Sequence, residues 1–373
     1  MIITVQRLYI RDLLKLLLLL ALGLSLFFSI IGLIDKVDDF MPHKPSFALV
    51  AEYTLLAMPL NTHYLLPTAI LLSSIFTFSQ AIRRREIIAI KASGGRMKGI
   101  LKPFLGIGLI LTLFAFILGE VIVPTASKKR HELYDTITGK GKNLSFRDGV
   151  MYMRGKEGEI VRISLYLPEE KKALGVSILS FTPSGLRERI DAETAFWTGD
   201  GWRLTGITAY DIGEGKIHSE KEMRYTGIAS PTILQSDLWK VEEMTLPDLI
   251  RYNRRLNEAG FRNPKMLVDI SSRISYPLVN LFMLLLGIAL SLESRVIEEK
   301  LGRVLPSQRG EGKKAGGFVS AGLGLVISLA YWFGYSLFLS LGYAGTVPPV
   351  IAPWIIPAVY GLISFYLYRH IPE

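Results

Sequence analysis

The stretch RRREIIAIKASGGRMKG, Arg83–Gly99, decides how the rest of the chain is read. It holds six basic residues and one carboxylate, Glu86. No Asp, Glu, Lys or Arg occurs from Tyr53 to Ile82 before it, or from Pro103 to Gly119 after it. The first of these runs exceeds the roughly 18–20 residues that cross a bilayer as helix. A short basic segment between two apolar runs is the pattern of a cytoplasmic loop joining two transmembrane helices.

Composition agrees. Half of the 373 residues are hydrophobic, and the mean hydropathy is +0.33. The formal net charge of +10 would suit nucleic acid if it were spread over a soluble surface. Here the bases cluster beside apolar runs, which argues for membrane topology and against a nucleic-acid partner. The chain has no cysteine, so disulfides and Cys-based metal sites are excluded. The run Leu16–Ile34 follows Arg7, Arg11 and Lys15 and resembles a signal peptide. It is longer than a typical signal core and no small-residue cleavage site follows it, so it reads as a retained first span.

Six spans are expected, near 12–34, 60–82, 101–123, 268–292, 315–341 and 350–368. Ala315–Tyr368 is free of acidic and basic residues and would be about 80 Å long as one helix. The turn sequence GYAGTVPP, Gly342–Pro349, divides it into two spans. The N-terminal segment, the 83–102 and 293–314 loops and the tail at Arg369 carry most of the bases flanking the spans. The 35–59 loop has Lys36 and Lys44 against four acids, and 342–349 has no basic residue. Both termini are therefore expected in the cytoplasm.

Between spans three and four the character changes. Short alternating stretches such as GEIVRISLYL and GVSILSFTPSG lie between Gly, Asp and Pro turns, and TGDG, Thr198–Gly201, reads as a hairpin. Six to nine strands without intervening helices suggest a sandwich, jelly roll or related β-fold, placed outside the cytoplasm by the topology. TLPDLIRYNRRLNEAG then reads as a helix with Thr245 at the N-cap, Asp248 in its first turn and Gly260 at the C-cap. The fold class is thus a polytopic α-helical membrane protein with six transmembrane helices (3+3) and an inserted all-β domain. Its parts are 1–124 with a cytoplasmic helix about 83–95, a β-domain 125–244, a connecting helix 245–265 and spans 266–373.

Catalytic signatures are missing. Gly141-Lys142 and Gly312-Lys313 lack the remainder of a phosphate loop. The five histidines, His43, His63, His131, His218 and His370, show no zinc-binding spacing. Ser271 and Ser272 lack the glycines of a nucleophile elbow. No cofactor and no ATP hydrolysis by this chain are expected.

In this order, the features resemble the lipopolysaccharide-export permeases, the LptF/LptG family. EIIAIKASG after span two is similar to that family's S-E-L-x-A-L-R-A-x-G pattern. LGEVIVP at the end of span three and FRNPKMLVDISSRISYPL at the entry to span four match as well. LIDKVDDF, Leu33–Phe40, looks more like LptG, although some LptG chains carry a lysine before the span-one aspartate where this chain has Gly32. The resemblance implies three spans, a periplasmic jelly-roll-like domain and three more spans in the bacterial inner membrane. It also implies an LptF-like permease as heterodimer partner, an LptB-like ATPase dimer that uses the ATP, and LptC-like and LptA-like periplasmic proteins. Lipopolysaccharide would be the cargo, drawn from among the membrane lipids.

On that resemblance Glu86, with Ile87, Ile90 and Ala89, would meet a groove of the ATPase, and Gly94 would end the helix. The plainer reading of Glu86 is an exposed ion pair with Arg83, worth a few tenths of a kcal/mol. Arg83–Arg85 read as topology determinants. Asp35, Lys36, Lys44, Lys128, Lys129 and Arg130 form a candidate headgroup site, since lipopolysaccharide carries phosphates that Lys and Arg bind. Ordinary solvation of loop charges is the alternative. Glu120 stands near the bilayer boundary, where an ionisable group is either functional or paired with a base. The small residues of AGGFVSAGLGLVISLAYWFGY suit either a partner contact or internal packing. Two rival functions remain open: a membrane-anchored envelope assembly or receptor protein, and a permease for another amphiphile such as a lipoprotein.

Overall fold

The computed structural model describes residues 2–93, 97–139, 144–147, 150–155, 158–167, 170–182, 185–213, 215–231, 234, 241–258, 263–302 and 312–371. The chain begins with α1 (Ile2–Ile34), α2 (Val37–Phe40), α3 (Phe47–Arg83), α4 (Glu86–Ala92) and α5 (Met97–Ile117). A π-turn, Leu118–Ile122, leads from α5 into α6 (Val123–Thr138). Seven strands follow: β1 (Leu144–Arg147), β2 (Val150–Arg154), β3 (Ile160–Leu167), β4 (Lys172–Thr182), β5 (Gly185–Trp197), β6 (Trp202–Asp211) and β7 (Lys216–Tyr225). Then come α7 (Leu246–Glu258), α8 (Pro264–Gly302), α9 (Gly312–Tyr343) and α10 (Ala352–Arg369). Contacts divide the chain into two units. One comprises Met1–Asp38, Ser46–Arg130 and Pro264–Glu373; the other comprises Asp39–Pro45 and His131–Asn263.

In the helical unit, five helices are long and apolar enough to cross a membrane: Thr4–Ile34, Phe47–Arg83, Gly99–Thr138, Pro264–Leu292 and Gly322–Tyr343. The sixth expected span, 350–368, is also a helix. With 18 residues, three tyrosines and a terminal arginine, α10 falls outside those five. Its length of about 27 Å is close to the hydrocarbon thickness of a bilayer. The third span runs further than expected, staying helical to Thr138, so the sheet begins only at Leu144. The basic 293–314 segment is helical to Gly302 and again from Gly312.

Burial explains the packing of α1. Tyr9, Leu13, Leu17, Ala21, Ser25 and Ser29 are all buried, each four residues after the last. Such a row is one ridge of an α-helix, and it lies on α3. Ser25 donates to Met58 O at 2.8 Å, and Asn61 Nδ2 donates to Ser29 Oγ at 2.8 Å. The opposite face, with Leu18, Leu19, Leu22 and Phe27, is exposed. An apolar outer face is what a lipid-facing helix requires. Against α3, α8 approaches so closely that a Cβ on Gly287 would overlap Ser74 Oγ and come within 2.9 Å of Leu71 O.

The other unit carries a single antiparallel sheet in which every strand pairs with its sequence neighbour, β1 to β7. Within the all-β expectation, the described strands therefore follow a meander order. The TGDG hairpin forms where expected: Thr198 N donates to Gly201 O at 2.9 Å, and Trp197 pairs with Trp202. One row of residues crosses the sheet without regular pairing. It holds Ser164, Gly175, Glu193 and Gly206. Gly175 and Gly206 have φ of 60° and 63°, a left-handed conformation that glycine adopts without a Cβ penalty. A Cβ there would also lie 2.8 Å from Ser164 Oγ or 2.9 Å from Glu193. Across this row buried positions step by three residues, from Ala173 to Val176, Ala192 to Ala195 and Leu204 to Ile207. Regular strands step by two, so the row acts as a crease that keeps apolar side chains on one side of a bent sheet.

After the sheet, α7 buries Leu249, Tyr252 and Leu256 on one face. Thr245 donates to Asp248 Oδ2 through its N–H at 3.2 Å and its hydroxyl at 2.6 Å. The proposed C-cap, Gly260, lies outside the described residues.

Candidate functional site

Within the basic stretch, Arg83 ends α3 and a short separate helix runs Glu86–Ala92, inside the 83–95 expected for it. Arg84 caps α3, donating its N–H to Gln80 O, and Arg85 adopts a positive φ of 61°. That left-handed residue breaks the helix and starts α4 in a new direction. Glu86 opens α4, where a carboxylate suits the positive end of the helix dipole. Tyr9 of α1 donates its hydroxyl to Glu86 Oε2 at 2.8 Å. The nearby guanidinium is that of Arg84, 3.9 Å from Glu86 Oε1, and not the anticipated Arg83. The left-handed Arg85 is the reason: Glu86 does not continue α3, so i,i−3 spacing no longer sets the partner.

Ile87 and Ile90 are both buried in the helical unit's own core, with Tyr9, Phe78, Met97 and Leu101 among its members. They seat α4 on the bundle. The exposed positions of α4, among the described side chains, are Ile88, 38% exposed, Ala89 and Ala92. Glu86 lies at the edge, with 32% of its side chain exposed. Arg83 is exposed at the end of α3, and Gly94 lies outside the described residues.

The candidate headgroup residues are spread over both units. Asp35, Lys36, Lys128, Lys129 and Arg130 belong to the helical unit, and Lys44 to the sheet unit. Lys128 and Lys129 are exposed on consecutive positions of α6. Arg130 is half-buried, its guanidinium 6.0 Å from the centre of the Tyr53 ring, within cation–π range. Asp35 is exposed and Lys36 half-buried.

A buried polar layer lies where the middle of α3, the turn after α5 and the first part of α8 meet. Counted from Arg83, His63 sits about 30 Å along α3, roughly one hydrocarbon thickness. At this level Arg273 of α8 donates from Nη1 to Gly119 O at 3.1 Å and to Glu120 Oε1 at 3.0 Å. The side chains of Arg273 and Glu120 are only 13% and 11% exposed. Of the two readings of Glu120, pairing with a base is the one observed. A Cβ on Gly119 would lie 2.7 Å from the His63 ring, so glycine gives that ring its place. His63, Tyr64 and Tyr276 pack with ring centres 5.3–5.8 Å apart, and Tyr276 donates to Tyr64 O at 2.6 Å.

The same stretch of α8 reaches the remaining helices. Asp269 accepts from Tyr343 of α9 at 2.6 Å. Ser271 donates to Val350 O at 2.7 Å and accepts from Trp354 Nε1 of α10 at 2.9 Å. DISSRISY, Asp269–Tyr276, thus points successive polar side chains at α9, α10, α5 and α3. Sequence reasoning singled out these motifs but not their contacts. The available signal was a glutamate and an arginine, each at the edge of a long uncharged run.

Comparison with curated protein sequences returns no match. A family model, the lipopolysaccharide export system permease LptF/LptG, matches residues 7–370, nearly the whole chain. That match covers both named branches without dividing them. With its membrane-spanning helices and inserted sheet, the chain belongs to the lipopolysaccharide export system permease family LptF/LptG.

Proposed function

We propose that this chain is one permease subunit, on the LptG-like side, of an ATP-driven complex that lifts lipopolysaccharide out of the inner membrane. Family membership over residues 7–370 carries this reading. The split layout supports it, since an anchor for the β-sheet would need only one span. An LptF-like permease completes the pair, an LptB-like dimer supplies ATP hydrolysis, and LptC-like and LptA-like proteins receive the lipid in the periplasm. Both termini face the cytoplasm, with the sheet on the periplasmic side.

The coupling surface in this reading is Glu86 with Ile88 and Ala89, while Ile87 and Ile90 transmit the load into the bundle. Asp35, Lys36, Lys128, Lys129 and Arg130 of the helical unit meet the phosphorylated headgroup, the cations by charge-assisted hydrogen bonds, and Lys44 of the sheet unit is a separate candidate. The test is co-purification with an ATPase subunit and ATP-dependent lipid release, for the unmodified chain and for Glu86→Ala and Glu86→Lys. Loss of assembly or release in both variants supports the coupling role, and unchanged behaviour in both rejects it. Mass spectrometry of the bound lipid separates lipopolysaccharide from a lipoprotein or another amphiphile. Absence of both ATPase and lipid would favour an anchored envelope protein.

A further inference from the structure

We propose that Arg273 and Glu120 are positioning residues that set which way α6 faces, and with it Lys128, Lys129 and Arg130. The functional half of this proposal rests on the headgroup reading above; the geometric half stands without it. The chain of cause begins at Pro124. Proline has no N–H, so neither Glu120 O, four residues back, nor Gly119 O, five residues back, can receive a backbone donor from it. The helix responds with a π-turn over Leu118–Ile122, in which Val123 N–H bonds Leu118 O. Gly119 O is then taken by Arg273 at 3.1 Å, and the arginine's charge is met by Glu120 at 3.0 Å. One motif, LGEVIVP, thus contains the residue that opens the turn, the carbonyl that it frees and the acid that holds the capping arginine.

A π-turn accommodates one residue more than the regular helix, and one residue corresponds to about 100° around the axis. If the turn closed to regular helix, each later residue would rotate to where its successor now stands. At present Thr125, Lys128 and Lys129 are exposed, whereas Ala126 and Ser127 are buried. Closure would carry Thr125 to the buried place of Ala126 and Ser127 to the exposed place of Lys128. Arg130 would leave the Tyr53 ring. The cations would then face a direction about 100° away from the one they hold now.

The chain has no cysteine, so single cysteines at 125 and 127 report this rotation directly. In membranes carrying the assembled complex, a maleimide reagent should label Thr125→Cys and spare Ser127→Cys. Arg273→Met in a Pro124→Ala background, which restores a backbone donor for Glu120 O, should reverse the pattern, whereas Pro124→Ala alone should not. Glu120→Gln/Arg273→Met in that background should reverse it too; this removes both members of the pair and leaves Asp269, the other carboxyl facing Arg273, hydrogen-bonded to Tyr343. A photo-crosslinker at position 128 should lose lipopolysaccharide adducts about fivefold in the two reversing variants, the worth of roughly one surface cation. Unchanged labelling in the variant lacking both members of the pair overturns the proposal. Reversed labelling with undiminished adducts overturns its functional half. Absence of adducts in the unmodified complex instead counts against the headgroup reading itself.

Discussion

At the α4 end of the helical unit, α1 meets α4 through one hydrogen bond, Tyr9 to Glu86, above a seat made by Ile87 and Ile90. At the opposite end, α8 holds α3, α5, α9 and α10 through Tyr276, Arg273, Asp269 and Ser271. The first contact is half-open, and apolar burial does most of the holding. The second is closed and directional. Apolar seats tolerate sliding because dispersion has little preference for angle, whereas buried hydrogen bonds and charges lose several kcal/mol when misaligned. The difference places definition at one end and adaptability at the other.

This contrast is open to attack, starting where the effect is largest. Glu120→Ala removes the carboxylate 3.0 Å from the buried Arg273 guanidinium, and removing one partner of a buried pair costs about 3–5 kcal/mol. The expected result is a large fall in the thermal midpoint in detergent, with most of the loss recovered in Glu120→Gln/Arg273→Met. A small fall would mean that the closed end is not held by charge. Gly287→Ala drives a methyl into Ser74 and the Leu71 carbonyl, an overpacking worth about 1–3 kcal/mol. It should lower the same midpoint without altering ATPase binding. If it is silent, the α3–α8 contact is looser than its geometry.

Tyr9→Phe removes only the hydroxyl that reaches Glu86, at a cost of about 1–2 kcal/mol. It should leave ATPase co-purification intact while Glu86→Lys abolishes it. Equal defects would show that Glu86 acts by holding α4 in place and not by meeting a partner. The smallest effect belongs to Asp248. Burial raises its carboxyl's pKa, but the bonds from Thr245 and Arg251 outweigh burial and hold it below the usual carboxylate range. A depressed carboxylate stabilises above its unfolded pKa and loses that contribution as pH falls through the folded value. Asp248→Asn should therefore cost under about 1 kcal/mol at neutral pH, and the difference should begin to shrink below about pH 4 and vanish only beneath the lowered folded value.

Much of the fold was legible because the signals were local. Uncharged runs marked the spans, GYAGTVPP marked the last hairpin, TGDG closed β5 onto β6 and Thr245 with Asp248 opened α7. What was illegible depends on partners far away in sequence or on backbone angles. The burial of Ile87 and Ile90 is not readable from the chain, because a seven-residue helix has too few turns for its apolar stripe to indicate which side is the core. Arg84 replaced Arg83 as the neighbour of Glu86 because a left-handed Arg85 reset the helical phase. Arg273 and Glu120 are separated by 153 positions, so no window along the chain contains both. The crease in the sheet rests on two glycines whose positive φ is invisible in strands that otherwise alternate normally.

The clustering of polar contacts along eight residues of α8 also has a mechanical side. Helices fastened together at one end have few ways to move: sliding and spinning break the fastenings, and tilting about them does not. A tilt of about 10° about the fastened layer swings the far end of a 30 Å helix by about 5 Å, roughly one helical pitch. That far end is where α4 and the exposed Ile88 stand. The polar layer would then serve as a fulcrum and the spans as its arms, so that a modest push on α4 becomes an opening between helices.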